Sequence, residues 1–236
     1  MIRTVADTGS TNADLIARLA GGDRVPEGEW LVADRQTAGR GRQGRTWFDG
    51  HGNFMGSTVV HLAAGDPPAH TLALVTGLAV YETVQPYCPN PSALMLKWPN
   101  DLLLGGAKLC GILLERAGDS VVIGIGVNLA AAPDLADRKT VALSMLGPAP
   151  DRDAFATALA ASLDRELDRW RTFGLAPMIR RWLAVGTPVD TPLSVHEPDG
   201  NMVQARFAGL DEQGTLRLRL EDGAVRAIHA GDVMLA

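Results

Sequence analysis

The chain has 236 residues, 46% of them hydrophobic and 21% charged, with 22 Lys plus Arg against 27 Asp plus Glu and a net charge of −5. That length allows one large domain and one small one, and the acidic balance argues against general binding of nucleic acid. No apolar run reaches the roughly 18 residues a membrane helix needs, MIRTVADTGST lacks the pattern of a secretory signal, and Cys88 and Cys110 show no metal-ligand spacing, so a chain without membrane spans in a reducing cytoplasm is expected.

Ser10, Thr11 and Asn12 precede ADLIARLA. Their side chains suit a helix N-terminus, and Leu15, Ile16 and Leu19 recur at helical spacing. A helix is therefore predicted from about 11 to 20, stopped at Gly21-Gly22. Residues 30–34 read as a short strand, and 35–53, rich in glycine and without apolar periodicity, as a loop. Residues 54–62 read as a buried strand, 70–84 as a helix with a broad apolar face, and 93–98 as a strand. Gly105-Gly106 is a two-residue turn signal between LLL and AKLCGILLE, which predicts a hairpin.

Counting outward from that turn sets Leu104 opposite Ala107, Leu103 opposite Lys108 and Asp101 opposite Cys110. Asp101, Leu103, Lys108 and Cys110 would then share one face. Asp101 and Lys108 become diagonal neighbours, roughly 7–8 Å apart at Cα, a gap a lysine stem can span. Cys110, inside an apolar run, reads as a small buried hydrophobe. Residues 120–129 read as a strand ending near Asn128, 151–170 as an amphipathic helix and 176–184 as a shorter one. From about 187 the texture changes to short runs split by Gly, Asp and Pro, with clean alternation in TLRLRL. That pattern suggests a small β-barrel of SH3-like type. The expected fold class is α+β: a mixed-sheet domain flanked by helices over 1–185, then a small barrel over 186–236.

Three segments carry candidate chemistry. GRGRQGRTW at 39–47 matches G-x-G-x-x-G through Gly39, Gly41 and Gly44. No helix can follow it, so it fails the context a dinucleotide fingerprint requires, and no P-loop pattern exists. What remains is a glycine-rich loop carrying Arg40, Arg42 and Arg45, either a solvated basic loop or a cover for an anion. Trp47 at its end favours a stacking surface. KWPND at 97–101 joins Lys, Trp, Asn and Asp across a proline, either as a tight polar turn or as a site. The chain's lysines are Lys97, Lys108 and Lys139. A lysine kept in an arginine-rich chain suits chemistry that needs a compact point charge. Lys97 reads equally as a salt-bridged strand end, and Glu115 equally as a paired strand-end charge. The five histidines form no constellation.

STN at 10–12, Q-x-A-GRGRxGRxW at 36–47, KWPND at 97–101, GxKLxGILxE at 106–115 and GIGVN at 124–128 together resemble, in order and spacing, the biotin protein ligase family. The C-terminal barrel is similar to that family too. The resemblance implies activation of biotin with ATP and Mg²⁺ to biotinyl-5′-AMP. Transfer to one lysine of a biotin carboxyl carrier protein follows. It implies that Lys108 bridges the biotin carboxylate and the α-phosphate, with Asp101 and Arg40 as catalytic companions. Biotin would meet Ser10, Thr11, Asn12, Gln36, Arg40, Gly41, Arg42, Lys108 and Gly111. The nucleotide would meet Arg40, Arg42, Arg45, Trp47, Lys97, Asn100, Lys108 and Asn128. Asp101 would orient the attacking lysine, help deprotonate it, or act through Mg²⁺.

STN begins at residue 10, which leaves no room for the DNA-binding winged helix some members carry, so a catalytic-only class without DNA is expected. Family members also pair through the edge of the central sheet, which makes a homodimer one implied assembly. The competing expectations are a lipoate or octanoate ligase of similar fold and a biotin-responsive regulator without enzymatic activity.

Overall fold

A computed structural model describes residues 1–196, 202–229 and 231–235. Twelve strands and four α-helices follow one another in the order β1 (Ile2–Thr8), α1 (Thr11–Ala20), β2 (Trp30–Gln36), β3 (Phe54–His61), α2 (Leu72–Val84), β4 (Leu94–Lys97), β5 (Asp101–Leu104), β6 (Ala107–Ala117), β7 (Ser120–Val127), α3 (Arg152–Phe173), α4 (Leu175–Val185), β8 (Pro192–His196), β9 (Met202–Leu210), β10 (Leu216–Arg219), β11 (Val225–Ile228) and β12 (Asp232–Leu235). The first seven strands form one sheet in the order β1-β2-β3-β7-β6-β5-β4. Only β1 and β2 run parallel; the other pairs are antiparallel. The last five form a separate antiparallel sheet, β11-β10-β9-β8-β12. The mixed sheet with helices and the small C-terminal β unit are the architecture expected from the sequence.

The helices begin where capping chemistry puts them. Ser10, in extended conformation, accepts a long 3.5 Å bond from Ala13 N at the start of α1, and Asp151 accepts from Ala154 N at the start of α3. Helix α3 ends at Gly174, whose φ of 70° suits glycine at a helix C-terminus. Helix α2 is more deeply buried than a surface helix: nearly every residue from Leu72 to Val84 is shielded. It fills the space between the large sheet and α3, where Trp170 and Phe155 lie fully buried. The hydrophobic core is continuous into the small unit, since Leu193, Phe207 and Leu216 belong to the same cluster as Leu96 and Trp182.

Two features depart from expectation. Strand β1 was not legible, because IRTVADT has little apolar alternation; it forms as the outer partner of β2. The β5–β6 hairpin turns through Gly105 and Gly106, both at positive φ, as a primed two-residue turn requires. Its register slips, however, by a bulge: Leu103 faces Lys108 and Leu104 faces Ala107, but Leu102 faces Cys110 and Asp101 faces Gly111. Five residues on β6 thus oppose four on β5. Cys110 therefore points with Leu102 into the core, not onto the face of Asp101. Burial pushes its thiol well above the ordinary range. No helix among the described residues is long and apolar enough to cross a membrane.

Candidate active site

One cavity of about 550 Å³ opens beside the sheet where β2, β3, β5, β6 and β7 meet the N-terminus of α1 and the 39–47 loop. Ser10, Thr11, Asn12, Gln36, Arg40, Gly41, Arg42, Arg45, Trp47, Asn100, Asp101, Lys108, Gly111 and Asn128 all line it. Lys97 does not. Its ammonium sits behind the wall, 3.1 Å from Asp101 Oδ2 and donating to Val233 O at 2.8 Å.

Lys108 is fixed from both sides. Its strand pairs with Leu103 of β5, while its N–H donates to Lys139 O and its carbonyl accepts from Val141 N. The bulge brings Lys108 Nζ to 2.7 Å from Asp101 Oδ1 despite the altered register. Asp101 is almost wholly buried between the two lysines. Burial alone would push its carboxyl up; the Lys108 and Lys97 ammoniums outweigh that and hold it below the usual carboxylate range. It is an ionised anchor for two cations.

The 39–47 loop folds on itself, with Arg40 bridged to Thr46, Gly41 N bonded to Arg45 O and Trp47 N to Gly39 O. Arg42 donates to Asn100 Oδ1 at 3.1 Å and to Gly231 O at 3.2 Å, so it spans from the loop to the small β unit. Asn100 in turn donates to Ile112 O at 2.6 Å. Arg40, about half exposed, lies 3.9 Å from Glu115 Oε1. The Trp47 indole lies against Gly126 and Gly111 of the sheet. A Cβ on Gly126 would come within 2.2 Å of its ring, so only glycine there lets it settle. Lys108 Nζ stands 5.8 Å from the centre of that ring.

At the α1 side the walls are neutral and polar. Gln36 Oε1 accepts from Thr11 N at 2.8 Å, Thr11 Oγ1 lies 2.6 Å from Ser57 Oγ, and Ser57 Oγ donates to Asn12 Oδ1 at 2.6 Å. Among the described residues, three buried polar atoms on the cavity wall have no hydrogen-bond partner: Asp101 Oδ1, which is ion-paired with Lys108, and the Trp47 Nε1 donor and Asn128 Oδ1 acceptor, which are not paired at all. Unmet buried polar atoms on a concave wall are what a bound ligand satisfies. The arrangement offers cations for one or more anionic groups and a neutral hydrogen-bonding corner for a polar head.

Sequence reasoning missed Ser57, which lay within a segment read only as a buried strand. It also missed Pro133, Leu135, Asp137, Arg138 and Thr140, which line the cavity from the segment after Asn128. The one available signal there was the charged ADRKT in an otherwise irregular stretch. Asn53 was missed as well; its side chain accepts from Ala130 N and Ala131 N and donates to Ala131 O, pinning the start of that segment.

Residues 13–128 match the model of the biotin/lipoate A/B protein ligase family, and residues 195–235 that of the biotin protein ligase C-terminal domain. The biotin–[acetyl-CoA-carboxylase] ligase of Mycobacterium tuberculosis is 41% identical over 98% of this chain and 87% of its own length. The enzyme of that name from Paracoccus denitrificans is 38% identical over 91% of this chain and 92% of its own. Among solved structures, the biotin protein ligase of Aquifex aeolicus in complex with biotin and ATP superposes with a TM-score of 0.87 at 24% identity, covering 100% of this chain and 99% of that one.

Proposed function

The chain belongs to the biotin/lipoate A/B protein ligase family, and from that membership we propose that it joins biotin to a carrier lysine in two steps. A carboxylate oxygen of biotin attacks the α-phosphorus of ATP; the new O–P bond forms as the bond to pyrophosphate breaks, giving biotinyl-5′-AMP. The ε-amine of one lysine of a biotin carboxyl carrier protein then takes the acyl carbon, and AMP leaves.

The first step brings two anions together, and cations fixed in advance lower that barrier. Lys108 supplies one ammonium, held on a strand bonded at both edges. Arg40, Arg42 and Arg45 supply guanidiniums from a loop that closes the same cavity and keeps water from the reactive anhydride. The observation that carries the reading is that this cation cluster shares one cavity with the neutral corner of Ser10, Thr11 and Gln36. A ureido ring matches such a corner. The dithiolane of lipoate has no N–H or C=O to offer it, which favours biotin over the lipoate alternative.

Asp101 serves as an orienting anion. A carboxylate held below its usual range is a weak base, and both its oxygens already face ammoniums. For the same reason it is a poor ligand for Mg²⁺. No cluster of three His, Cys, Asp or Glu capable of holding a metal occurs among the described residues, so Mg²⁺ fits this site as the counterion of the nucleotide phosphates. The division we propose near 185 falls between the two sheets, whose residues share one hydrophobic cluster. Dependence on ATP and two free cysteines suit the cytoplasm.

Purified protein given ATP, Mg²⁺ and biotin labels a biotin carboxyl carrier domain. Absence of label on an authentic carrier overturns the proposal, and calorimetry with biotin against lipoate separates it from its nearest alternative.

A further inference from the structure

Glu115, near the far end of β6, does not line the cavity, yet it touches two residues that do. Its Oε2 accepts from Asn12 Nδ2 at 2.8 Å, and its Oε1 lies 3.9 Å from Arg40. The contact with Asn12 has a consequence for proton placement. An ionised carboxylate can only accept, so Asn12 must turn its NH₂ toward Glu115 and its carbonyl toward Ser57. Ser57 has one hydroxyl proton and must spend it on Asn12 Oδ1. Its oxygen can then only accept from Thr11 Oγ1, 2.6 Å away, which uses the proton of Thr11. Gln36 Oε1 takes the Thr11 backbone N–H at 2.8 Å and lies 3.1 Å from Thr11 Oγ1, so it is the more distant of the two acceptors within reach of that hydroxyl proton. Gly124 makes room for the chain: a Cβ there would fall 2.4 Å from Asn12 Oδ1.

We infer that Glu115 is a positioning residue that sets the direction of this hydrogen-bond chain. Thr11 Oγ1 then presents lone pairs to the cavity and selects a head group that donates N–H there. The inference rests on the reading of biotin as substrate, whose ureido ring carries such donors. It assigns a specificity role to a residue outside the cavity wall. Removing the carboxylate frees the Asn12 amide to turn over. Ser57 and Thr11 then reverse: Thr11 Oγ1 accepts from Ser57 and turns its proton to Gln36 Oε1, 3.1 Å away, which leaves both oxygens with one lone pair fewer for a ligand N–H. The Arg40 contact is long and half exposed, and contributes little.

Steady-state kinetics of carrier labelling test this. Glu115→Met keeps the side-chain length without the acceptor. It raises KM for biotin about three- to tenfold, the worth of one net hydrogen bond, with KM for ATP and kcat within about twofold. Glu115→Gln, whose amide oxygen still accepts from Asn12, restores KM for biotin to within about twofold of the parent. Ser57→Ala interrupts the chain one link further on and reproduces the split of Glu115→Met should that variant not fold. An unchanged KM for biotin, a parallel rise for ATP, or no recovery with Gln overturns the inference. A parent protein that labels no carrier overturns the ligase reading itself and this inference with it, and is seen before any variant is compared.

Discussion

Lys108 Nζ reaches Asp101 from a strand bonded on both edges, so its position is fixed to within the freedom of its own stem. An arginine there keeps the charge but spreads it over a planar fork that does not fit between Asp101 and the face of Trp47. Lys108→Arg is therefore expected to lower adenylate formation by about 100-fold, measured as biotin-dependent exchange of pyrophosphate into ATP. A rate near that of the parent would contradict the point-charge argument. Asp101 tests the other half of the pair. Asp101→Asn leaves two ammoniums facing each other in a nearly dry pocket and costs about 3 kcal/mol of stability, read from urea unfolding near neutral pH. The sign with pH follows from the direction of its shift. The folded carboxyl is held below its unfolded value by Lys108 and Lys97, against the opposing effect of burial. Its contribution is full above the ordinary carboxylate range and is lost as pH falls through the folded value. The gap between parent and Asp101→Asn accordingly closes in acid; a gap that widens there would refute the assignment.

The β5–β6 hairpin shows how much of an element can be read from its residues. Gly-Gly between two apolar runs located the turn, and both glycines adopt the positive φ that the turn needs. Gly106→Val, forced to φ near 79°, is expected to cost about 1–2 kcal/mol. Gly105→Asn should stay within about 0.5 kcal/mol, both measured by thermal or urea unfolding. The contact between Asp101 and Lys108 was legible from the same turn. The bulge was not, because nothing in AKLCG marks which residue loses its partner; packing of Cys110 and Leu102 into the core decides it. Helix α1 was legible from its cap residues and spacing, and α3 from its amphipathic pattern. Strand β1 was not, since an edge strand partly open to water carries little apolar pattern. The chain from Glu115 through Asn12 and Ser57 to Thr11 links residues as far as 103 positions apart, and no local periodicity records such a contact.

At the scale of the molecule, the small β unit is tied into the active site by more than its core. Val233 O holds Lys97, Gly231 O holds Arg42, and Gly214 O accepts from the indole of Trp98. Both the buried anion and the 39–47 loop thus lean on backbone carbonyls of the C-terminal unit. The placement of the lysines has a further consequence. A protein that makes an acylating anhydride is exposed to its own product, and free amines are the groups at risk. Here Lys97 and Lys108 are engaged with Asp101, leaving Lys139 and the amino terminus of Met1 as the exposed primary amines. Prolonged incubation with biotin and ATP but no acceptor should therefore mark the enzyme sparsely, at Lys139 and Met1, as read by peptide mass mapping. Heavy self-labelling at Lys97 would show that the buried ammonium is not held as described, whereas a clean map would make this chain a quiet background for tagging other proteins by proximity.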